Sequence, residues 1–312
     1  MGQTPFVSCT IKNRRGKFMT KYFRKKSMLI AFLLPAILVY TFSVFIPVLV
    51  SLFYSLNEWD GITGMQFVGL KNYTYMLFND KRFYNDFFNN LYYVIINLIL
   101  QMGIATSFAV LLTKIKRGRN VFQTIYFVPM ILSTVAVGQV FKRIYSLEPM
   151  GPINYILGVL GLEKLQTSFL TDAKMAMNSV IFVDTYKNMG LYMIIIFTAL
   201  LTIPSDVEEA ARLDGARSFT MLFRIKLPLI KNVLFSCAIL IISGTLKAFD
   251  IPYVLTGGGP GIKTELLAGY MYSQGFAYMK YGYASTITVF IAVECLVING
   301  FVKLFQTRLN KD

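Results

Sequence analysis

Four ionisable residues stand where the chain is otherwise apolar: Asp184, Lys187, Lys247 and Glu294. A charge in such surroundings is costly unless it pairs or faces a polar cavity, so each marks a candidate site. Placed on helices at about 1.5 Å per residue, Lys187 and Glu294 fall at a matching depth of roughly 18 Å below the outer surface. Asp184 and Lys247 lie nearer the outside, while Asp184 and Lys187, three apart, offer a pair on one helix. Two readings stay open: pairs that fix helix packing, and groups that line a polar path. Tyr186, Asn188, Phe249 and Asp250 stand beside them. Together they mix hydrogen-bonding groups with aromatic faces, which is the chemistry of binding and passage.

The chemistry of catalysis is missing. Histidine, the commonest general base and metal ligand, does not occur. The three cysteines, Cys9, Cys237 and Cys295, show no metal-ligand spacing, and two of them lie inside apolar runs as small core residues do. No G-x-x-x-x-G-K-[ST] loop is present to cradle a nucleotide. Gly257, Gly258, Gly259 and Pro260 are glycine-rich but lack the Lys-Ser/Thr ending. They read as a sharp turn. The chain is therefore expected to be no enzyme, and to hold no metal and no cofactor.

The elements that must position these residues are apolar spans. Of 312 residues 55% are hydrophobic and 15% charged, against about 25% charged in soluble domains. Uncharged runs cover Ser27 to Asn57, Phe87 to Thr113 and Asn120 to Phe141, each longer than the ~20 residues that cross a bilayer core. Three further spans are expected near Met175 to Leu201, Val233 to Val254 and Tyr283 to Phe305. The first follows Arg24, Lys25 and Lys26 as a signal peptide would, but its apolar run is too long for one, so it reads as retained. The net charge of +15 is spread in short clusters between the spans, which argues against a nucleic-acid surface.

Those clusters set the orientation. With the amino terminus inside, the inner segments hold twenty Lys and Arg and the outer segments six, which places both termini in the cytoplasm. The expected fold is all-α and integral to the membrane, with six transmembrane helices. A basic tail covers 1–26, a six-span transmembrane domain 27–305 and a second tail 306–312.

The longest inner connection, 203–231, is more than a turn. Ser205 or Asp206 can cap a helix starting at Val207, and Gly215 ends it. A second helix is expected from Ser218 to Ile225, broken by Leu227-Pro228. Two short helices joined at a glycine outside the bilayer make a firm protrusion for another protein to grip.

Glu209-Ala210-Ala211, then Gly215, then Ile225, Leu227 and Pro228, resemble the EAA signature of binding-protein-dependent ABC importer permeases. In that family Glu-Ala-Ala is followed after three residues by Gly, and after nine more by Ile-x-Leu-Pro. Every element stands at its expected spacing. Further blocks are similar to the carbohydrate-uptake subgroup: Leu33-Leu34-Pro35, Phe67 to Tyr73, Ala211 to Ala216, Phe249-Asp250, Leu255 to Pro260 with Thr264, and Gly282 to Ser285. The likeness covers about residues 28 to 305.

The resemblance implies a type I importer permease fold with cytoplasmic coupling helices, in a bacterial or archaeal cell membrane. It implies partners: a second permease, either a copy or a relative, two ATPase subunits that bind ATP and Mg, and an extracytoplasmic solute-binding protein. Glu208, Glu209, Ala210, Ala211, Asp214, Gly215, Ile225, Leu227 and Pro228 would form the ATPase contact, and the loop at Gly257 would lie near the docked binding protein. The cargo would be a sugar or oligosaccharide. A permease for amino acids, polyamines or phosphate, and a stand-alone secondary transporter, are the alternatives.

Overall fold

A computed structural model describes residues 26–115 and 117–309. The basic tail expected over 1–26 and Cys9 lie outside the described residues, apart from the backbone of Lys26. Two compact units divide between Phe53 and Tyr54.

The described residues of the first unit, from Lys26 on, are helical. Helix α1 (Lys26–Tyr40) passes through a π-helical turn at Thr41–Phe45 into α2 (Ile46–Ser55). None of the most apolar window of this span is buried. A helix apolar all round and bare on all sides is one that meets lipid or another apolar span.

The second unit opens with a short hairpin, β1 (Asn57–Glu58) against β2 (Gln66–Phe67), pairing Asn57 with Phe67 and Glu58 with Gln66. Helix α3 (Lys71–Phe78) follows. Then comes the longest helix, α4 (Lys81–Lys114), which Asp80 caps by accepting from the amides of Arg82 (2.9 Å) and Phe83 (3.1 Å). One face of α4 is buried at helical spacing: Asp86, Asn90, Tyr93, Asn97, Gln101, Ala105, Ala109 and Leu112. The first half of that face is polar and the second half small and apolar. Small residues let backbones approach, and α8 (Ala176–Leu201) packs along this face. Leu112, Met193, Ile196 and Phe197 form the core there, joined by Cys237 and Ile241 from α12 (Lys231–Leu246).

Between α4 and α8 lie α5 (Arg119–Ile131), α6 (Thr134–Ile144) and α7 (Pro152–Val159). Here the structure corrects the expected third span. It is no single rod: α5 and α6 meet at 98°, because Leu132 and Ser133 leave helical geometry (ψ 145° and 133°). The expected fifth span is also shorter than 233–254, since α12 stops at Leu246 and α13 (Asp250–Thr256) starts afresh. Past α14 (Leu267–Tyr272), α15 (Tyr281–Leu309) runs beyond the expected end at Phe305. Among the described residues four helices are long and apolar enough to cross a membrane, and two bent pairs bring the number to six when each counts as one span.

The expected helix at 218–225 proves longer. It continues as α10 (Ser218–Thr220), a π-helical turn (Met221–Lys226) and α11 (Leu227–Leu229), and the break falls at Ile230. Pro228 does not end it. A proline lacks an N–H and crowds the carbonyl four residues back, here Arg224, and the wider π turn accommodates both demands. Pro47 sits in the same register after the π turn of the first span.

Candidate functional site

Two places gather the residues singled out by type. The first is a cavity of about 460 Å³ between α4, α6, α8 and the α12–α13 junction. Asp184, Lys187 and Asn188 reach it from consecutive turns of α8, and Lys247, Phe249 and Asp250 come from the helix break. The break is what exposes them. Lys247 and Phe249 carry non-helical dihedrals, and irregular backbone in a membrane protein is tolerated where it lines a cavity.

Polar side chains tie the wall together. Asp184 accepts from Asn188 Nδ2 (2.9 Å) and from Gln101 Nε2 (3.3 Å). The Gln101 amide also donates to Asn97 Oδ1 (3.0 Å), which takes a second bond from Thr185 Oγ1 (3.2 Å). Gln101 Oε1 is left buried without a hydrogen-bond partner. A buried acceptor with no partner is costly, and this one belongs to a cavity-lining residue. Asn97, Gln101 and Thr185 were not among the expected site residues. Their signal is present as two amides four apart inside an uncharged run.

Two expected members are elsewhere. Tyr186 packs its ring against Phe141 (5.3 Å) in the core and does not line the cavity. It follows Thr185 on the turn of α8 that faces α6. Glu294 is 8% exposed, and both of its carboxylate oxygens lack a hydrogen-bond partner among the described residues. The expected approach of Lys187 to Glu294 is not made here, because Lys187 faces the cavity and Glu294 does not. Nor does an ion pair join Asp184 to Lys187 among the described residues.

The second place is the protrusion after α8. Helix α9 (Ser205–Leu213) starts two residues earlier than the expected Val207, with Pro204 at the cap position and no side-chain cap. Its far end closes as a glycine stop should. Gly215 has φ +82°, Ala216 N–H bonds Ala211 O (2.9 Å) and Gly215 N–H bonds Arg212 O (3.0 Å). That is the Schellman pattern of hydrogen bonds around a left-handed residue.

The two neighbouring glutamates do different jobs. Glu208 turns inward to Lys226 (2.6 Å), with Arg212 at 4.0 Å, and so ties α9 to the π turn. Glu209 is exposed. Ala210 and Asp214 are also exposed, whereas Ala211 is buried and Ile225 and Leu227 are half-buried. Pro228 is exposed at the end of the second helix. Beside Glu209 the surface carries bare apolar groups: Leu213 is 89% exposed, and Phe219 and Phe223 lie with ring centroids 4.4 Å apart. A groove of about 830 Å³ runs from Glu208 and Glu209 to Phe219 and the end of α4. Exposed apolar groups rimmed by charge are the surface chemistry of a protein or membrane contact.

Comparison with known proteins gives a consistent picture. Residues 101–311 match the family described as "Binding-protein-dependent transport system inner membrane component". The chain is 35% identical over 280 residues to the "Probable ABC transporter permease protein YurN" of Bacillus subtilis, across 88% of this chain and 95% of the relative. It is 31% identical over 284 residues to the "Trehalose/maltose transport system permease protein MalF" of Thermococcus litoralis, across 90% and 93%. With the "Multiple sugar-binding transport system permease protein MsmF" of Streptococcus mutans it shares 29% over 298 residues, across 95% and 97%. A chain of a bacterial alginate ABC transporter, solved in complex with an alginate pentasaccharide-bound periplasmic protein, superposes with a TM-score of 0.80 at 23% identity. The superposition covers 96% of this chain and 99% of that one.

Proposed function

Because the chain belongs to the family of inner membrane components of binding-protein-dependent transport systems, we propose that it forms half of the path by which an ATP-driven importer takes up a sugar or oligosaccharide. Relatives named for multiple sugars and for trehalose and maltose support the cargo class, and the 460 Å³ cavity has lining groups to match. Amides, carboxylates and an ammonium group answer hydroxyls, and Phe249 offers a face for the apolar side of a sugar ring.

The single observation that carries the coupling role is the divided use of the glutamate pair. Glu208 is spent inside the loop, and Glu209 stands free beside exposed Leu213. Residues 203–231 lie on the cytoplasmic side in this reading, with both chain termini, and there they dock a separate ATPase that binds ATP and Mg. A second permease completes the cavity and an extracytoplasmic binding protein delivers the cargo. Closure of the ATPase pair moves α9, and the spans rock the cavity from one face to the other; the bistable element is the permease pair.

The test uses Glu209→Lys and Gly215→Pro in the assembled importer. Charge reversal removes an attraction at the docking surface, and proline cannot adopt the positive φ of Gly215. Both variants should insert normally and lose at least tenfold in transport, with reduced co-purification of the ATPase. Full transport with normal ATPase retention in both would remove the assignment.

A further inference from the structure

A continuous file of aromatic rings leads away from the cavity. Phe249, on the cavity wall, stacks on Tyr253 at 4.8 Å and meets Tyr272 at 5.0 Å. Tyr272 meets Phe276 at 5.0 Å, Phe276 meets Tyr281 at 6.3 Å, and Tyr281 meets Trp59 at 5.7 Å. Tyr253 (48%) and Phe276 (63%) are exposed, and Phe249, Tyr272, Tyr281 and Trp59 are half-buried, each keeping part of its surface open. The file starts and ends in cavities. Phe249 lines the 460 Å³ cavity, Tyr253 and Tyr272 line a pocket of about 150 Å³, and Trp59 lines another of about 510 Å³.

The outer pocket is built to hold its shape. The hairpin loop folds on Asp60, whose carboxylate accepts from the amides of Ile62 (3.0 Å) and Thr63 (2.7 Å) and from the Thr63 hydroxyl (2.8 Å). Those bonds hold the Asp60 carboxyl below its usual range. Trp59 Nε1 donates to Thr63 O (3.1 Å), which fixes the indole beside Tyr281. Around the indole stand Glu58, Asp60, Gln274 and Lys280, a ring of hydrogen-bonding groups about an aromatic floor.

Lipid contact does not account for the file. Aromatic residues that anchor a protein at the membrane surface form a belt at one level, whereas these rings touch end to end and join two polar cavities. Core packing does not account for the whole file either, since Tyr253 and Phe276 are exposed and none of the other four rings is fully buried. Partly open aromatic rings at successive short intervals, with polar groups alongside, suit a ligand that is itself a string of rings with apolar faces and polar rims.

We propose that Trp59, Tyr281, Phe276, Tyr272, Tyr253 and Phe249 form a stacking track that conducts an oligosaccharide, one sugar ring per aromatic face, from the outer pocket to the cavity. This rests on the sugar reading given above. The track has a length, so its contribution grows with the length of the cargo. A disaccharide engages one or two faces at a time, and a hexasaccharide engages most of them.

The experiment exploits the composition of the chain, in which Trp59 is the sole tryptophan. The full chain in lipid–detergent micelles is titrated with gluco-, xylo-, arabino- and galacturono-oligosaccharides, from disaccharides to hexasaccharides. Trp59 emission and its quenching by acrylamide are recorded. In parallel, the assembled importer in vesicles is assayed for uptake of the same panel. A saccharide that is imported should shift Trp59 emission to the blue and protect it from quenching, more strongly for the hexamer than for the dimer. The double variant Tyr272→Leu, Phe276→Leu should lower hexasaccharide uptake about tenfold, from two lost stacking contacts, and disaccharide uptake less than about twofold. Tyr272→Phe, which keeps a ring, should recover long-chain uptake relative to Tyr272→Leu. An imported saccharide that leaves Trp59 unchanged overturns the track while the sugar reading stands. So does an equal loss at every length, which marks the rings as a protein contact. Uptake of a non-sugar solute, with no saccharide carried, removes the sugar reading and the track with it.

Discussion

The pair Glu208–Lys226 permits a quantitative forecast about the protrusion. Its side chains are 27% and 18% exposed, and the charges are 2.6 Å apart. Exposed pairs contribute about 0.2–1 kcal/mol, and removing one partner of a fully buried pair costs about 3–5 kcal/mol. A pair about one-quarter exposed falls between, so Glu208→Gln or Lys226→Met should each cost about 1–2 kcal/mol of loop stability. Arg212, at 4.0 Å from Glu208 and 73% exposed, compensates little. The double variant should recover part of this, with a coupling term of about 1 kcal/mol, because residues in contact do not behave additively. If the loop must hold this geometry to dock, each single variant weakens ATPase capture about five- to thirtyfold. The assay is binding of the ATPase subunit to immobilised permease, run on all four members of the cycle, with thermal melting of the membrane core as control. Simple addition of the two single effects, or undiminished capture by both, would refute the reasoning.

Three further outcomes are expected. Gly190 lets α8 cross α5, since a Cβ there would lie 2.0 Å from the Tyr126 carbonyl oxygen; Gly190→Ala should destabilise the permease by about 1–3 kcal/mol, and an unchanged melting temperature would count against this crossing. Cysteines introduced as Ser218→Cys and Lys164→Cys should react with impermeant reagent from opposite faces of the membrane, and labelling from one face would contradict the six-span orientation. Lys187→Met and Glu294→Gln should give additive defects, since Lys187 faces the cavity and Glu294 does not; a coupling above about 0.5 kcal/mol would show that they meet.

The sequence carried most of the architecture because membrane spans are written in composition. The runs at Phe87 to Thr113 and Met175 to Leu201 became α4 and α8 with small shifts at their ends. What it hid were departures from straightness. Leu132-Ser133 and Leu246 to Phe249 contain no Gly or Pro, so helix propensity did not reveal the bend and the stop there. Pro228 looked like a terminator because local rules assume α geometry, and the π turn removes that assumption. At the site, residue type found Asp184, Lys187, Asn188, Lys247, Phe249 and Asp250, which the fold brings to one cavity. Type alone does not separate Tyr186, turned to the core, from Gln101, turned to the cavity. Nor does it show that Glu208 is engaged and Glu209 free, since that depends on Lys226, eighteen residues away in sequence.

The central claim is tested most directly by reconstituting this chain in vesicles with its partner permease and ATPase. An oligosaccharide bound to the external binding protein is supplied outside, and accumulation inside is measured. The account predicts uptake against a gradient that requires both ATP at the face carrying residues 203–231 and the binding protein at the opposite face, and that Glu209→Lys abolishes without loss of the inserted protein. Uptake driven by an ion gradient with no ATPase present, or equal uptake without the binding protein, would contradict it.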